Sequence, residues 1–200
     1  RMAESPRPPV RGSGVLTTVL KINKKEFVSG LLWMVIENTL NPMKGARELA
    51  KSETPTLDVV VIRRFPVTQG GFVAKGSGAH KVMYSLASVL ASGFGPSFLG
   101  IFELSEDRFA LVGVSEGSIV PQYDYTGTRE EVTERLRKKY GITDWKRVIA
   151  PAAFGIGGDE IDLETAVRSC VLKNEHKLKP LTFGLSQKSL IQYGIVAVIG

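Results

Sequence analysis

Cysteine and histidine are nearly missing from this sequence: Cys170 stands alone, and His80 and His176 are the two histidines. A single thiol excludes an intrachain disulfide, which fits a reducing compartment. So few nitrogen and sulfur ligands leave no zinc-type spacing. The first residues lack the apolar core of a secretory signal peptide. No uninterrupted apolar run reaches the roughly 20 residues of a membrane-spanning helix. No period marks a solenoid repeat, and no basic stripe with interleaved aromatics marks a nucleic-acid surface.

What is present is an ordinary globular composition, 43% hydrophobic and 23% charged over 200 residues, which excludes wholesale disorder and allows one sizeable core or two small packed halves. The net charge of +6 is uneven. Arg1, Arg7, Arg11, Lys21, Lys24 and Lys25 load one end, and Lys173, Lys177, Lys179 and Lys188 load the other. Those last four lysines precede Leu190 to Gly200, an uncharged run of eleven residues. A basic collar before an apolar start is how a membrane span begins on its cytoplasmic side. We therefore expect residues 181–200 to be a juxtamembrane segment and the start of a transmembrane helix. The competing reading is a last core strand or helix. Residues 1–13, with Pro6, Pro8, Pro9 and Gly12, read as a flexible arm or tag remnant.

Between these ends the pattern is α/β, with mixed sheets and flanking helices, in a first half over 14–93 and a second over 94–180. Val15–Ile22 and Glu26–Ile36 read as two strands of a hairpin. Asn41-Pro42 opens a helix with proline in its first turn, and Leu57–Ile62 is apolar on both faces, as a central strand is. Gln69–Gly78 reads as a glycine-rich loop leading into a helix over 79–91, with Val82, Met83, Leu86, Val89 and Leu90 as its buried stripe. The second half is clearer. Strands over 98–104, 109–114 and 118–123 form a meander, and a helix follows from Thr128. Thr128-Arg-Glu-Glu131 is a capping box. A strand over 145–150 and a helix over 162–171 complete a β-β-β-α-β-α order. That order is the skeleton of a ribonuclease-H-like half of actin-type ATPases, and the first half reads as a reduced version of it.

The chemistry of such ATPases is not written here. Gly71 to Ser77 puts serine where a P-loop needs its lysine, and Lys81 stands where a dinucleotide fingerprint needs its third glycine. The first hairpin turn of the second half, Glu103-Leu-Ser-Glu-Asp-Arg108, has no glycine and three carboxylates, which repel a triphosphate. His80 has no nucleophile beside it in the pattern. Asp159, Glu160, Asp162 and Glu164 lack EF-hand spacing and suit a helix N-terminus. Cys170, among Val167, Val171 and Leu172, reads as an inert buried thiol. No catalytic, cofactor or metal residue is assigned. Gln69, Gly70, Lys75, Gly76 and His80 are the candidate partner-facing residues, and the four C-terminal lysines the membrane-proximal ones.

Six phrases in order, Gly45-Ala-Arg-Glu-Leu-Ala50, Gln69-Gly-Gly-Phe-Val-Ala74, Met83-Tyr-Ser-Leu-Ala-Ser88, Phe98-Leu-Gly-Ile-Phe102, Glu116-Gly-Ser-Ile-Val-Pro121 and Trp145-Lys-Arg-Val-Ile-Ala-Pro-Ala152, carry a resemblance. The chain from about residue 15 onward resembles the PilO-type pilin accessory proteins of type IVb pilus systems, related to BfpC. That resemblance implies an inner-membrane protein with a cytoplasmic, actin-like domain similar to that of GspL-type secretion proteins. It also implies a scaffold that docks the pilus assembly ATPase onto the membrane platform protein and other machinery subunits, with no catalytic residues. A homodimer is possible on this reading, and nucleic acid is not a partner. The alternatives are a diverged actin-like ATPase and a basic nucleic-acid-binding domain.

Overall fold

The structure is a computed structural model that describes residues 17–53, 56–139 and 144–181. Strands β1 (Thr18–Ile22) and β2 (Lys25–Ser29) form the expected hairpin. Its two-residue turn has φ of 50° at Asn23 and 66° at Lys24, the left-handed pair whose twist matches that of the flanking strands. The expected long second strand is in fact two. Gly30, at φ 90°, turns the chain out of the hairpin, and β3 (Leu32–Val35) joins a different sheet. Only glycine enters such a conformation without a steric penalty.

Helix α1 (Pro42–Lys51) begins where the sequence places it, with the Lys44 N–H donating to Oδ1 of Asn41 at 3.2 Å. Then β4 (Leu57–Arg63) runs centrally, paired with β5 (Gln69–Ala74). This corrects the glycine-rich loop: Gln69 to Ala74 is a strand whose residues are all buried. Glycine stands there because neighbouring side chains fill the space a Cβ would need. A Cβ on Gly71 would meet Trp33 Cζ2 at 2.7 Å, and one on Gly70 would meet Phe72 Cε2 at 2.8 Å. Glycine within a strand often marks such close approach.

The helix expected from Ala79 starts later. A short β6 (Tyr84–Ser85) pairs in parallel with β2, and α2 (Leu86–Phe94) follows, capped by the Ser85 hydroxyl. Val82 is therefore no part of a buried stripe. It is 62% exposed, with φ 69°.

The second half follows its expected order. Strands β7 (Phe98–Ser105), β8 (Arg108–Ser115) and β9 (Ser118–Gly127) form the antiparallel meander, and β10 (Arg147–Ile149) adds in parallel beside β7. The third strand outruns its expected end at Tyr123, because Pro121 and Gln122 sit at a bulge rather than a terminus. Gln122 has φ 70°, and the β8–β9 register shifts opposite it. Helix α3 (Arg129–Lys139) has its capping box: the Glu131 N–H donates to Thr128 Oγ1 at 3.2 Å, and the Thr128 N–H donates to Glu131 Oε1 at 3.1 Å. Helix α4 (Leu163–Arg168) is short and capped by Asp162.

Finally the chain returns to the sheet of β4 and β5. A 3-10 turn at Asn174–His176 precedes β11 (Lys179–Pro180), which pairs antiparallel with β4. The three sheets thus run β1-β2-β6, β11-β4-β5-β3 and β10-β7-β8-β9. The largest apolar core draws on both halves, joining Phe27, Trp33 and Leu86 to Phe98, Phe102, Val112 and Val167. A second lies under α3, around Leu111, Tyr123 and Trp145, and a third under α1, around Ile36, Val60 and Phe72. Among the described residues no helix is long and apolar enough to cross a membrane. The apolar run from Leu190 to Gly200 lies outside the described residues.

Candidate partner-binding cleft

The residues proposed as partner-facing do not form one site. Gln69 is 4% exposed and spends its side chain internally. Its Oε1 accepts from the Ile119 N–H at 2.8 Å, and its Nε2 donates to the Ile119 carbonyl at 3.2 Å. Gly70 is buried next to it. Lys75, Gly76 and His80 are exposed on the turn beyond the other end of β5, where Gly76 has φ 82°. Of the basic residues, Lys173 is exposed at the start of the 3-10 turn, Lys177 places its Nζ 5.4 Å from the Tyr84 ring centre, and Lys179 is an exposed residue of β11. Lys188 lies outside the described residues.

A polar seam holds β9 against the start of the chain. Asp124 is buried, and the loop after β2 wraps its carboxylate. The Gly30 N–H donates to Oδ1 at 2.8 Å, while the Leu31 N–H and the Trp33 indole N–H donate to Oδ2 at 3.2 and 2.8 Å. Burial pushes this carboxyl up to about 6, against the three donors, which pull the other way. Beside it, the Ser29 and Thr126 hydroxyls share a 2.7 Å bond. Arg63 extends the seam, donating from Nη1 to Gln69 Oε1 and to the Gly117 carbonyl, both at 3.0 Å.

One open site is a cleft of about 500 Å³ between the start of α1, the end of β4 and the segment from the 3-10 turn into β11; a wider hollow of about 650 Å³ lies between β9 and α3. Arg63 and Arg64 at the end of β4 line it together with Lys177 and Lys179 of the neighbouring segment, which runs into β11 beside β4. Glu175 is the single carboxylate of the lining. Burial draws the Arg63 guanidinium below the ordinary arginine range, and Glu175 pulls it back. It stays cationic. His176 is buried in the wall. The Lys173 N–H donates to its Nδ1 at 3.3 Å, so the neutral ring carries its proton on Nε2, 3.8 Å from Glu175 Oε1. Burial first of all lowers its proton affinity.

Two large apolar side chains stand at the rim. Leu40 is 97% exposed and Phe65 82% exposed. At the floor, Ser88 is 1% exposed and its hydroxyl has no hydrogen-bond partner among the described residues. The cleft can therefore attract anions, accept an apolar group and offer one desolvated hydroxyl. The sequence reading missed it. Arg63-Arg64-Phe65-Pro66 after an apolar strand was visible, but the lysines that join it come from more than a hundred residues later.

Elsewhere the acidic stretch does structural work. The backbone of Asp159 pairs with Val148 and Ala150 at the β10 edge, and Asp162 caps α4. Among the described residues no three histidine, cysteine or carboxylate side chains converge on a metal position. The Cys170 thiol, half-buried, donates to the Ala166 carbonyl at 3.3 Å, and burial raises it above the ordinary thiol range.

A mixed α/β body of three sheets, with a meander, a crossing helix and a parallel fourth strand, is the class this architecture defines. The chain belongs to the PilO family of pilin accessory proteins, whose family model matches residues 27–199. The family read from the six collinear phrases is thus the family shown. Solved structures similar to it include the cytoplasmic domain of BfpC, at a TM-score of 0.59 and 21% identity, covering 81% of this chain and 96% of that one. At that identity the likeness is one of fold. No curated protein matches the chain significantly.

Proposed function

We propose that this chain is a non-enzymatic scaffold of type IVb pilus assembly, whose cytoplasmic domain docks the assembly ATPase at the inner membrane. The observation that carries the reading is membership of the pilin accessory family over residues 27–199, joined to a fold like that of a cytoplasmic domain, that of BfpC. Family and fold support a role in type IV pilus assembly, and the docking role is the finer step. The open, cationic cleft supports it as a surface for a partner, and the basic residues running toward Lys188 support attachment at an anionic membrane face. The test is capture of the cognate assembly ATPase by the purified domain, together with pilus formation in cells lacking the domain. Capture with loss of piliation is expected. Normal pili without the domain would overturn the reading.

A second reading has one feature in its favour. The strand order β9-β8-β7-β10, with β10 parallel to β7, is the order of a ribonuclease-H-like half, the plan on which actin-type ATPases are built. Titration calorimetry with Mg-ATP separates the two. The scaffold gives no binding heat at millimolar nucleotide, whereas a diverged ATPase does.

A further inference from the structure

We infer that the cleft between α1, the end of β4 and β11 is a recognition site for an acidic segment of a partner protein, anchored by an apolar residue packed on Phe65 and Leu40. The inference rests on the docking reading to the extent that the occupant is a protein.

Charge comes first. Four cations, Arg63, Arg64, Lys177 and Lys179, line the cleft against the single carboxylate of Glu175. Arg64, Lys177 and Lys179 make no ion pair among the described residues. Arg63 is held by two neutral acceptors, Gln69 Oε1 and the Gly117 carbonyl, which fix its guanidinium without neutralising it. Cations gathered in one cleft focus a positive potential there, which steers an acidic partner to the site. His176 adds no charge at neutral pH, because its burial favours the uncharged ring.

The apolar rim narrows the occupant. Phe65 and Leu40 stand almost free in water beside those cations. An exposed aromatic next to arginines is the composition of interface anchors. Inorganic phosphate would engage the cations and leave the rim unused. A membrane surface would meet the lysines and the rim, but a hydroxyl at the floor of a cleft is beyond its reach. The Ser88 hydroxyl, buried and without a partner among the described residues, is the third observation. A buried polar group is nearly always bonded in a finished structure; Asp58 Oδ1 and Trp145 Nε1 are also without a partner among the described residues, but of the three only Ser88 belongs to the lining of this cleft.

The experiment is a fluorescence anisotropy titration of the chain with a fluorescein-labelled peptide of glutamates flanking a Leu-Phe pair. Saturable binding is expected, lost when lysine replaces the glutamates and weakened about tenfold when serines replace the Leu-Phe pair. Reversing two charges, Arg64→Glu with Lys179→Glu, weakens it about a hundredfold or more. Both residues are exposed, so the circular-dichroism melt stays that of the parent. Ser88→Ala lowers affinity several-fold while leaving the melt unchanged or raising it, since the hydroxyl it removes has no bond within the fold. A merely structural serine would give the opposite pair of results. No saturable binding, or binding indifferent to the charge reversal, overturns the inference. So does charge-dependent binding to phosphatidylserine vesicles or inorganic phosphate with none to the peptide, which would make the site one for anionic headgroups or phosphate. Capture of the ATPase by a domain that ignores the peptide would sink the cleft alone. Peptide binding by a domain that fails to capture the ATPase would sink the docking role alone.

Discussion

Along β9 the polar side chains are spent on the chain itself, whereas at the end of β4 most of the charge is left unspent. Asp124 collects three N–H donors from the loop after β2, Thr126 shares a hydrogen with Ser29, and Gln69 reads both backbone groups of Ile119. In the cleft, by contrast, Arg64, Lys177 and Lys179 have no carboxylate of their own among the described residues. The two regions share Arg63, which lies on the seam and also lines the cleft. The difference shows how to sort polar groups in a chain whose sequence assigns no catalytic residue. Saturated buried ones hold elements in register, and unsaturated open ones remain for a partner.

The comparison breaks most visibly at Asp124. Removing its carboxylate in Asp124→Ala leaves the Gly30 and Leu31 amides and the Trp33 indole N–H without their acceptor, the last two at buried positions. Each orphaned donor costs about 1–3 kcal/mol, so urea unfolding should show a loss of about 4 kcal/mol, enough to threaten folding. A loss under about 1 kcal/mol would mean that apolar packing alone holds β9 to the start of the chain.

The same residue sets a pH signature. Its carboxyl is raised from 3.8 to about 6 in the fold, so between those values the folded state holds a proton that the unfolded state has released. Stability from this group is therefore fully present below about pH 4 and is lost as the pH rises through about 6, a change of about 3 kcal/mol. His176 acts with the opposite sign, since its folded-state proton affinity is lowered. Subtracting the profile of Asp124→Asn removes the histidine and every other group common to both proteins. The difference in unfolding free energy, parent minus variant, should fall by about 3 kcal/mol between about pH 4 and pH 7. A flat difference would show that the three donors offset burial and hold the carboxylate at its ordinary affinity.

How much of this was legible in the chain follows from the range of the interactions. The meander, the capping box at Thr128 and the proline start of α1 depend on neighbours a few residues away, and the sequence reading located them. The break at Gly30 rests on its left-handed φ of 90°, and the strand at Gln69–Ala74 depends on Trp33, Leu31 and Phe72 filling the space above Gly70 and Gly71. No local pattern distinguishes that from a flexible loop. The return of Lys179-Pro180 to β4 is a pairing across more than a hundred residues. It turned lysines expected only as a basic approach to a membrane into one wall of a cleft. Exposed Phe65 and Leu40 were equally hard to find, since an apolar residue in a sequence is read first as core.

The smallest expected effect sharpens the comparison from the other side. Arg64→Ala combined with Lys179→Ala removes two charges from the cleft, and neither makes an ion pair among the described residues. Their mutual repulsion within the cleft is relieved, while whatever their alkyl stems cover is lost. Both terms are small for exposed side chains, so urea unfolding should place the double variant within about 0.5 kcal/mol of the parent. The seam and the cleft then differ by nearly an order of magnitude in what their polar groups give the fold. If the double variant instead lost more than about 1 kcal/mol, the cleft cations would be working for the fold, as Asp124 does. The charge left open at the end of β4 would then be no evidence of a partner.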